Sequence, residues 1–432
     1  MHTQNLDAST GARHPWDLYT ATQRWGFLVL LFLVSTSNYV DKIVISVLLE
    51  PIKAEFRVSD TLLGLLSGIS FALFYASFGI PIARWADRGS RKFIITLSLI
   101  IWSMMTTVCG LAQNFWQLAL ARFGVGAGEA GALPPAHSLI ADYFKPALRA
   151  RAIAVLMASA TVGYLIGFVG GTQIAASHGW RLAFIVMGLP GLALAILVHL
   201  LLKEPRQLPE FRPRHGTQES FLETLRALLA KRSFVHLLIA MVLYFMIAYG
   251  AAVFFPSYLI RILKIPLTQV GSAYGAVSAV ASISGYIVGG FLADRATRHN
   301  IAWLAWLPAI GIVVSWPMLE AMFLVPTFAL FLALAAIGGF TLNAAIPGMF
   351  AALHAICGSR RRAMAVALLF FFANLLGLGV GPVITGALSD AFSSTQGPAG
   401  IRAALMLVLT VLLPAGWFLY LSGRHLRVNA EP

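Results

Sequence analysis

The sequence predicts an all-α polytopic membrane protein with twelve transmembrane helices in two six-helix halves. Three observations carry that prediction. Hydrophobic residues make up 59% of the 432 and charged residues only 11%, and apolar runs of about 20 residues or more recur from Trp25 to Leu421, a pattern no soluble domain requires. Basic residues are concentrated in alternate loops. A short motif at the end of the second run returns at the end of the eighth.

Hydropathy and chain breaks place the spans at 25–50, 60–86, 92–112, 115–144, 150–177, 180–202, 234–260, 267–293, 300–320, 323–353, 362–389 and 399–422. The preceding segment, 1–24, is polar, and no apolar stretch in it ends in small residues, so a cleavable signal peptide is not expected and the first run stays as a helix. Residues 25–202 and 234–422 form the two bundles. The segment 203–233 between them opens with "KEPRQLPEFRPRHGTQ", rich in Pro and charge, and reads as a cytoplasmic linker. Its second part, "SFLETLRALLAKRS", offers a Ser220-x-x-Glu223 capping box with Phe221, Leu225, Leu228 and Leu229 on one face, and predicts a short helix on the inner membrane surface. A tail, 423–432, ends the chain.

With the N-terminus inside, 22 Lys and Arg residues fall on the cytoplasmic side, 6 outside, and Lys42, Arg84 and Arg122 within spans. The positive-inside rule therefore puts both termini in the cytoplasm, as expected of a bacterial inner-membrane protein. It also accounts for the net charge of +14: these residues face anionic membrane lipids, and no nucleic acid is needed as a partner. Cys109 and Cys357 sit in or beside apolar segments, too few for a disulfide scaffold or a thiolate metal site, and read as packing residues.

The motif is "GIPIARWADRGSRK", which ends span two, echoed by "GGFLADRATRHN" after span eight; they share Ala-Asp-Arg-x-x-Arg at Asp87 and Asp294. "RAIAV" from Arg151 is echoed by "RAMAV" from Arg362. Such offsets imply two halves in parallel orientation.

With "ADRGSR" after the second span and "RFGVGAGEAG" in the fourth, the chain resembles the major facilitator superfamily over nearly its whole length. "SNYVDK" in the first span and "GAGEAGALPPAHSLIADYF" in the fourth look like the spinster family of lipid and lysolipid transporters. The resemblance implies alternating access around a cavity between the halves, with proton coupling in many members. Two departures stand in the first loop motif, where Ala83 and Ser90 replace the usual glycines; the second copy keeps Gly290.

Ionisable residues within spans are costly and mark candidate function. Asp41 lies about 16 residues, roughly 24 Å, along span one from the inside, and Arg122 about 7 residues, roughly 10 Å, into span four from the outside. In a core about 30 Å thick these depths coincide, which predicts an Asp41–Arg122 pair. Glu129, two turns beyond Arg122 on the same face, has no evident cationic partner in the sequence. Asp41, Arg122 and Glu129 are the candidates for proton coupling, and a static ion-pair network joining spans one and four is the plainer alternative. Lys42 points about 100° from Asp41; it either faces the cavity or snorkels.

At the inner ends, Asp87, Arg88 and Arg91, with their counterparts Asp294, Arg295 and Arg298, form a candidate cytoplasmic gate: Asp87 can meet the partially positive N-terminus of span eleven, and Asp294 that of span five. Fixing loop topology is the simpler role for the same charges. In the second half, "LYFMIAYGAAVFF", "FTLNAAIPGMF" and "LLFFFANLLG" supply aromatic surface with few polar groups, among them Tyr244, Tyr249, Asn343 and Asn374, the candidate substrate-cavity residues beside Lys42.

Other patterns have plain readings. Gly126-x-Gly128-x-x-Gly131 matches a dinucleotide fingerprint but follows no strand, and with Gly124 it suits close helix packing. Gly163, Gly167, Gly170 and Gly171 resemble the superfamily's antiporter motif without its Pro, and packing is again the default. The histidines, His137 among them, show no paired metal-ligand spacing, and no nucleophile–base signature or phosphate-cradling loop is present. An enzyme is therefore not expected, nor a metal or cofactor, and transport draws on a gradient. The expected protein is a monomeric, proton-coupled secondary transporter of an amphiphilic, lipid-like substrate; the alternatives are an organic-anion carrier of the same superfamily and an uncoupled scramblase- or receptor-like protein.

Overall fold

The computed structural model describes residues 14–208, 211 and 221–429. Arg13, Arg212, Arg214 and Ser220, and with Ser220 the expected capping box, lie outside them. Among the described residues every regular element is helical. A short turn of helix, Pro15–Leu18, precedes α1 (Ala21–Phe56), which at 36 residues outruns the expected first span through Pro51. Ser59 caps α2 (Asp60–Ser67), accepting from Leu62 N–H; Gly68 interrupts the helix, and α3 (Ile69–Arg88) completes span two. Ser90 caps α4 (Arg91–Cys109) and Asn114 caps α5 (Phe115–Glu129), each accepting an N–H from three residues on.

Span four is then broken at Ala130–Ala132 and resumes as α6 (Leu133–Tyr143), where Pro134 and Pro135 remove two donors from the ladder. Span five is α7 (Pro146–Leu165), a wide π turn at Ile166–Gly170, and α8 (Gly171–His178); α9 (Trp180–Leu201) is span six.

After α10 (Phe221–Leu229) come α11 (Arg232–Phe245), a π turn at Met246–Ala251 and α12 (Phe255–Arg261), together span seven. Span eight is α13 (Leu267–Gln269), a π turn at Val270–Tyr274 and α14 (Gly275–Thr297); α15 (Trp303–Ala321) is span nine. The tenth and eleventh apolar stretches share α16 (Phe328–Phe372), because the connection expected at 354–361 is itself helical. A π turn at Ala373–Val380 leads to α17 (Gly381–Gln396), and α18 (Gly400–Leu409) with α19 (Leu412–Asn429) form span twelve.

Ten described segments are long and apolar enough to cross a membrane. The 63-residue segment Met364–Leu426 turns at Gly397–Ala399 and is two spans, and the broken span four is the twelfth. The chain is thus a twelve-helix, all-α membrane protein.

Two compact units emerge. One holds residues up to Ile45 together with Leu73–Gly216; the other holds Ser46–Ala72 with Thr217–Pro432. The chain passes from one to the other inside α1 and again inside α3. In the first unit α4 packs on α5 and α9. Gly128 lets α5 lie on α4: a Cβ there would sit 2.7 Å from Trp102 N, and one on Gly131 would sit 2.0 Å from Ser98 Oγ. Gly163 likewise brings α7 within reach of α1, 2.6 Å from Thr36 O. Helix packing is the use these glycines find.

In the second unit α16 packs on α14 and α15, α11 on α19, and α2 on α17. The short α10 packs on α11 and α16, burying Thr224 and Leu228 while Leu229 stays 47% exposed. Of the expected apolar face, Leu228 is buried, Leu225 is half-buried and Leu229 is exposed. Exposed apolar residues such as Leu120, Val280, Ile287 and Phe291 mark the faces left for lipid.

Candidate functional site

Several buried charges of the first unit converge on one place. Asn38, Asp41 and Lys42 lie on successive turns of α1, Arg122 and Glu129 on α5, and Tyr75 on α3. Asn38 and Asp41 are 0% exposed, Arg122 and Glu129 1%. Glu129 is the last residue of α5, directly before the break in span four; interrupted helices at membrane depth are tolerated where the freed backbone lines protein or a polar cavity.

Lys42 is the centre of the cluster. Its Nζ lies 3.2 Å from Glu129 Oε2, donates to Asn38 Oδ1 at 2.8 Å, and sits 5.3 Å and 5.1 Å from the ring centroids of Tyr39 and Tyr75. Two aromatic faces, an amide and a carboxylate are a suitable cage for an ammonium group away from bulk water. The absence of a cationic partner for Glu129 is thereby corrected, and Lys42 does not snorkel. The reason is rotational: the 100° that separates Lys42 from Asp41 turns it toward the inner end of α5.

The expected Asp41–Arg122 pair takes a different form. Arg122 Nη1 donates to the backbone carbonyl of Asp41 at 3.2 Å, and both carboxylate oxygens of Asp41 are buried and accept no hydrogen bond. Glu129, Arg122 and Lys42 are nevertheless near enough for their charges to act on it. Four ionisable groups, two of each sign, thus balance within one buried cluster. Adding a proton to either carboxylate changes the net charge of the cluster from balanced to positive by one.

Of the expected gate residues, Arg91 is placed most firmly. Its guanidinium is 0% exposed and donates to Glu204 Oε1 at 2.5 Å and to Ser138 Oγ at 2.9 Å, and it pairs with Asp142 Oδ2 at 2.7 Å. Glu204 also accepts the backbone N–H of Arg91 at 2.7 Å, and Tyr143 Oη donates to Lys203 O. The segment after span six is therefore clamped to the N-terminal end of span three and the C-terminal end of span four. Burial alone would raise the Glu204 carboxyl, but the Arg91 hydrogen bonds and charge hold it below the usual glutamate range. Asp87 and Arg88 have side chains outside the described residues. Asp294, Arg295 and Arg298 are exposed at the C-terminal end of α14.

In the second unit Tyr244 is buried and Tyr249 is 42% exposed, stacked on Phe245 with centroids 5.4 Å apart; Phe245 also meets Phe370 at 6.4 Å. The amides of Asn343 and Asn374 donate to Gly339 O and Phe370 O, four residues back in their own helices, at 2.8 and 2.7 Å. That leaves an aromatic surface with its few amides partly self-satisfied.

One constellation escaped the sequence reading. Arg261, at the end of α12, donates to both oxygens of Glu50 at 2.9 Å and to both oxygens of Asp60 at 2.6 Å. Lys53 and Ser389 add further bonds to Asp60, each at 2.6 Å. In sequence these are ordinary loop-end charges, and only their mixed signs at three span ends hinted at pairing.

Residues 31–323 match the sequence profile of the Major Facilitator Superfamily, and the chain belongs to that family. It is 34% identical, over 95% of either chain, to an MFS-type efflux pump of Mycolicibacterium smegmatis. A cis,cis-muconate transport protein of Acinetobacter baylyi is 29% identical over 69% of this chain and 71% of its own. Among solved structures, a bacterial homologue of the human lysosomal transporter spinster, in an inward-facing and unoccupied conformation, superposes with a TM-score of 0.88 at 32% identity, covering 96% of this chain and all of the other. The protein is accordingly a membrane transporter and not an enzyme, and it is similar to spinster homologues as the "SNYVDK" and "GAGEAG" stretches imply.

Proposed function

We propose that this chain is a proton-coupled secondary transporter that moves an amphiphilic, lipid-like substrate by alternating access in a bacterial inner membrane. The observation that carries the coupling is the buried cluster of Asp41, Lys42, Arg122 and Glu129, in which Lys42 lies 3.2 Å from Glu129 while Arg122 and Lys42 act on the Asp41 carboxylate only as nearby charges. A carboxylate compensated only by charges at a distance is the group whose proton occupancy most readily changes the balance between conformations. A difference of one pKa unit between two conformations shifts their ratio tenfold, about 1.4 kcal/mol. In proteoliposomes, an imposed pH gradient drives substrate flux, and Asp41→Asn with Glu129→Gln abolishes the gradient dependence. Flux that still follows the gradient in the double variant removes the assignment.

The amphiphile reading is supported by the aromatic wall around Tyr244, Phe245, Tyr249 and Phe370 and by the similarity to spinster homologues. A sugar buried against that wall would leave hydroxyls unpaired at about 1–3 kcal/mol each. A second reading, an organic-anion carrier, is favoured by Lys42 and Arg122 and by the similarity to the muconate transport protein. Thermal stabilisation of the purified monomer by lysolipids or sphingoid bases supports the first; stabilisation by small dicarboxylates alone supports the second. Asp87 and Asp294 complete the proposal as inner latches: Asp87→Asn raises cysteine accessibility from the inner side, and unchanged accessibility removes them from the gate.

A further inference from the structure

The C-terminal end of span twelve carries charge that no described residue offsets. Arg424 on α19 and Arg232, the first residue of α11, are both exposed, and among the described residues neither pairs with a carboxylate. Helices α11 and α19 contain no acidic residue, and α15 has only Glu320, near its opposite end. All three belong to the second unit, where α19 packs against both α11 and α15.

The seam between α11 and α19 adds two imidazoles. His236 and His425 face each other with ring centroids 5.7 Å apart, and Phe418, two turns before His425, lies 6.0 Å from His236. Ser422 Oγ donates to Ser233 O at 2.9 Å, which fixes the register of the two helices. The charges that act on His236 come from His425 and Arg232, and no carboxylate is among them. Like charges gathered at a membrane surface repel one another, and a bound anion relieves that repulsion.

On the side of α19 that meets α15 stands an aromatic row. Trp417, Tyr420 and Arg424 follow at spacings of three and four residues and so share one face of the helix. Trp417 is 58% and Tyr420 42% exposed, with centroids 5.6 Å apart, and Tyr420 meets Trp306 of α15 at 6.4 Å. Two glycines bring the helices this close: a Cβ on Gly423 would lie 2.4 Å from the Trp306 ring, and one on Gly416 2.6 Å from Val313. Trp306 Nε1 donates to Tyr420 O at 3.3 Å, which holds its ring in place. Away from Arg424 the surface continues as exposed apolar side chains, Ile310, Val313 and Leu413. Trp and Tyr favour the headgroup level of a bilayer, and Arg424 lies one turn, about 6 Å, further along the axis, at the depth of lipid phosphates.

We propose that Arg232 and Arg424, backed by the His236–His425 pair, hold the phosphate of an anionic bilayer phospholipid whose glycerol and upper chains lie on the Trp417–Tyr420–Trp306 row. Guanidinium forks suit a phosphate diester. The apolar surface running on from the row suits acyl chains and gives a water-soluble phosphate no hold. This lipid stays on the outside of the bundle, so the proposal depends neither on what is transported nor on proton coupling.

Native mass spectrometry of the purified protein in detergent, titrated with palmitoyl-oleoyl phosphatidylglycerol or with the phosphatidylcholine of the same chains, tests the site. The parent should bind phosphatidylglycerol about tenfold more tightly, and Arg232→Gln with Arg424→Gln should abolish that preference. Lys145→Gln with Arg151→Gln removes two exposed cations of the first unit and should keep it. Melting curves check that the variants fold; should the Arg232→Gln, Arg424→Gln pair fail to, Arg424→Gln alone should lose part of the preference. A parent without preference, or a preference that survives in the folded arginine variants, overturns the site. An equal fall in both pairs also overturns it, since that is attraction to surface charge in general. Displacement of phosphatidylglycerol by glycerol phosphate would make this a site for soluble phosphate and overturns the lipid assignment.

Discussion

Lys42 Nζ lies 3.2 Å from Glu129 Oε2, while its neighbour Asp41 meets Arg122 through its backbone carbonyl, at 3.2 Å, and not through its carboxylate. Two acids in one cluster are thus held differently, one by a direct ion pair and one by charges at a distance. Their responses to neutralisation should differ accordingly.

Removing Lys42 strands a buried Glu129. Lys42→Met should cost about 3–5 kcal/mol of stability, and adding Glu129→Gln should recover most of it, since neither charge then remains. Thermal unfolding of the single and double variants in detergent measures the difference; a double variant no more stable than Lys42→Met would deny the pair any importance.

Asp41→Asn should behave in the opposite way. Because no cation pairs with the carboxylate directly, its neutral isostere gives up no direct ion pair, and stability should change by under about 1 kcal/mol while gradient-driven transport is lost. A large drop in melting temperature would mean that the charge itself holds spans one and four together.

At the start of span three, pH separates Glu204 from its surroundings. Its folded-state pKa is depressed by Arg91, so the stabilisation it contributes is full above the ordinary glutamate range and is lost as pH falls through the depressed folded value. Glu204→Gln should be less stable than the parent by about 3 kcal/mol near neutrality, and the two melting curves should converge in acid. A gap that persists unchanged below the glutamate range would point to packing in place of charge.

Glycines offer a geometric control. Gly64→Ala puts a methyl group 2.2 Å from Pro382 O and should cost about 1–3 kcal/mol. Gly79→Ala meets nothing within 4 Å in the same span and should be neutral or stabilising by about 0.5–1 kcal/mol. Paired melting curves read this directly, and equal effects would argue against the tight seam between α2 and α17.

The spans were legible because lipid forces each crossing to be long, apolar and internally hydrogen-bonded, and Asp41, Arg122 and Glu129 stood out against that background. The pairing of Lys42 with Glu129 was not, since it depends on how α1 is rotated, which one sequence does not specify. Arg261, Glu50 and Asp60 were hidden for the opposite reason: at span ends a charge is expected, and nothing marks one that is nearly buried. Glu204 lay in a stretch whose Pro and charge content reads as free linker, although Arg91 pins it in place. The connection at 354–361 was read as loop because it interrupts the hydropathy, whereas the helix of span ten continues through it.

Four spans, the fifth, seventh, eighth and eleventh, each contain a wide turn: Ile166–Gly170, Met246–Ala251, Val270–Tyr274 and Ala373–Val380. Each such turn carries a surplus residue relative to an ordinary helix, and so a phase offset of about 100° between the faces above and below it. The surplus is a defect that can be handed from one turn to the next by exchanging single backbone hydrogen bonds. A span can in this way re-aim one half of its side chains while the other half stays seated, and a bundle built of close-packed rods acquires swivels without acquiring loops.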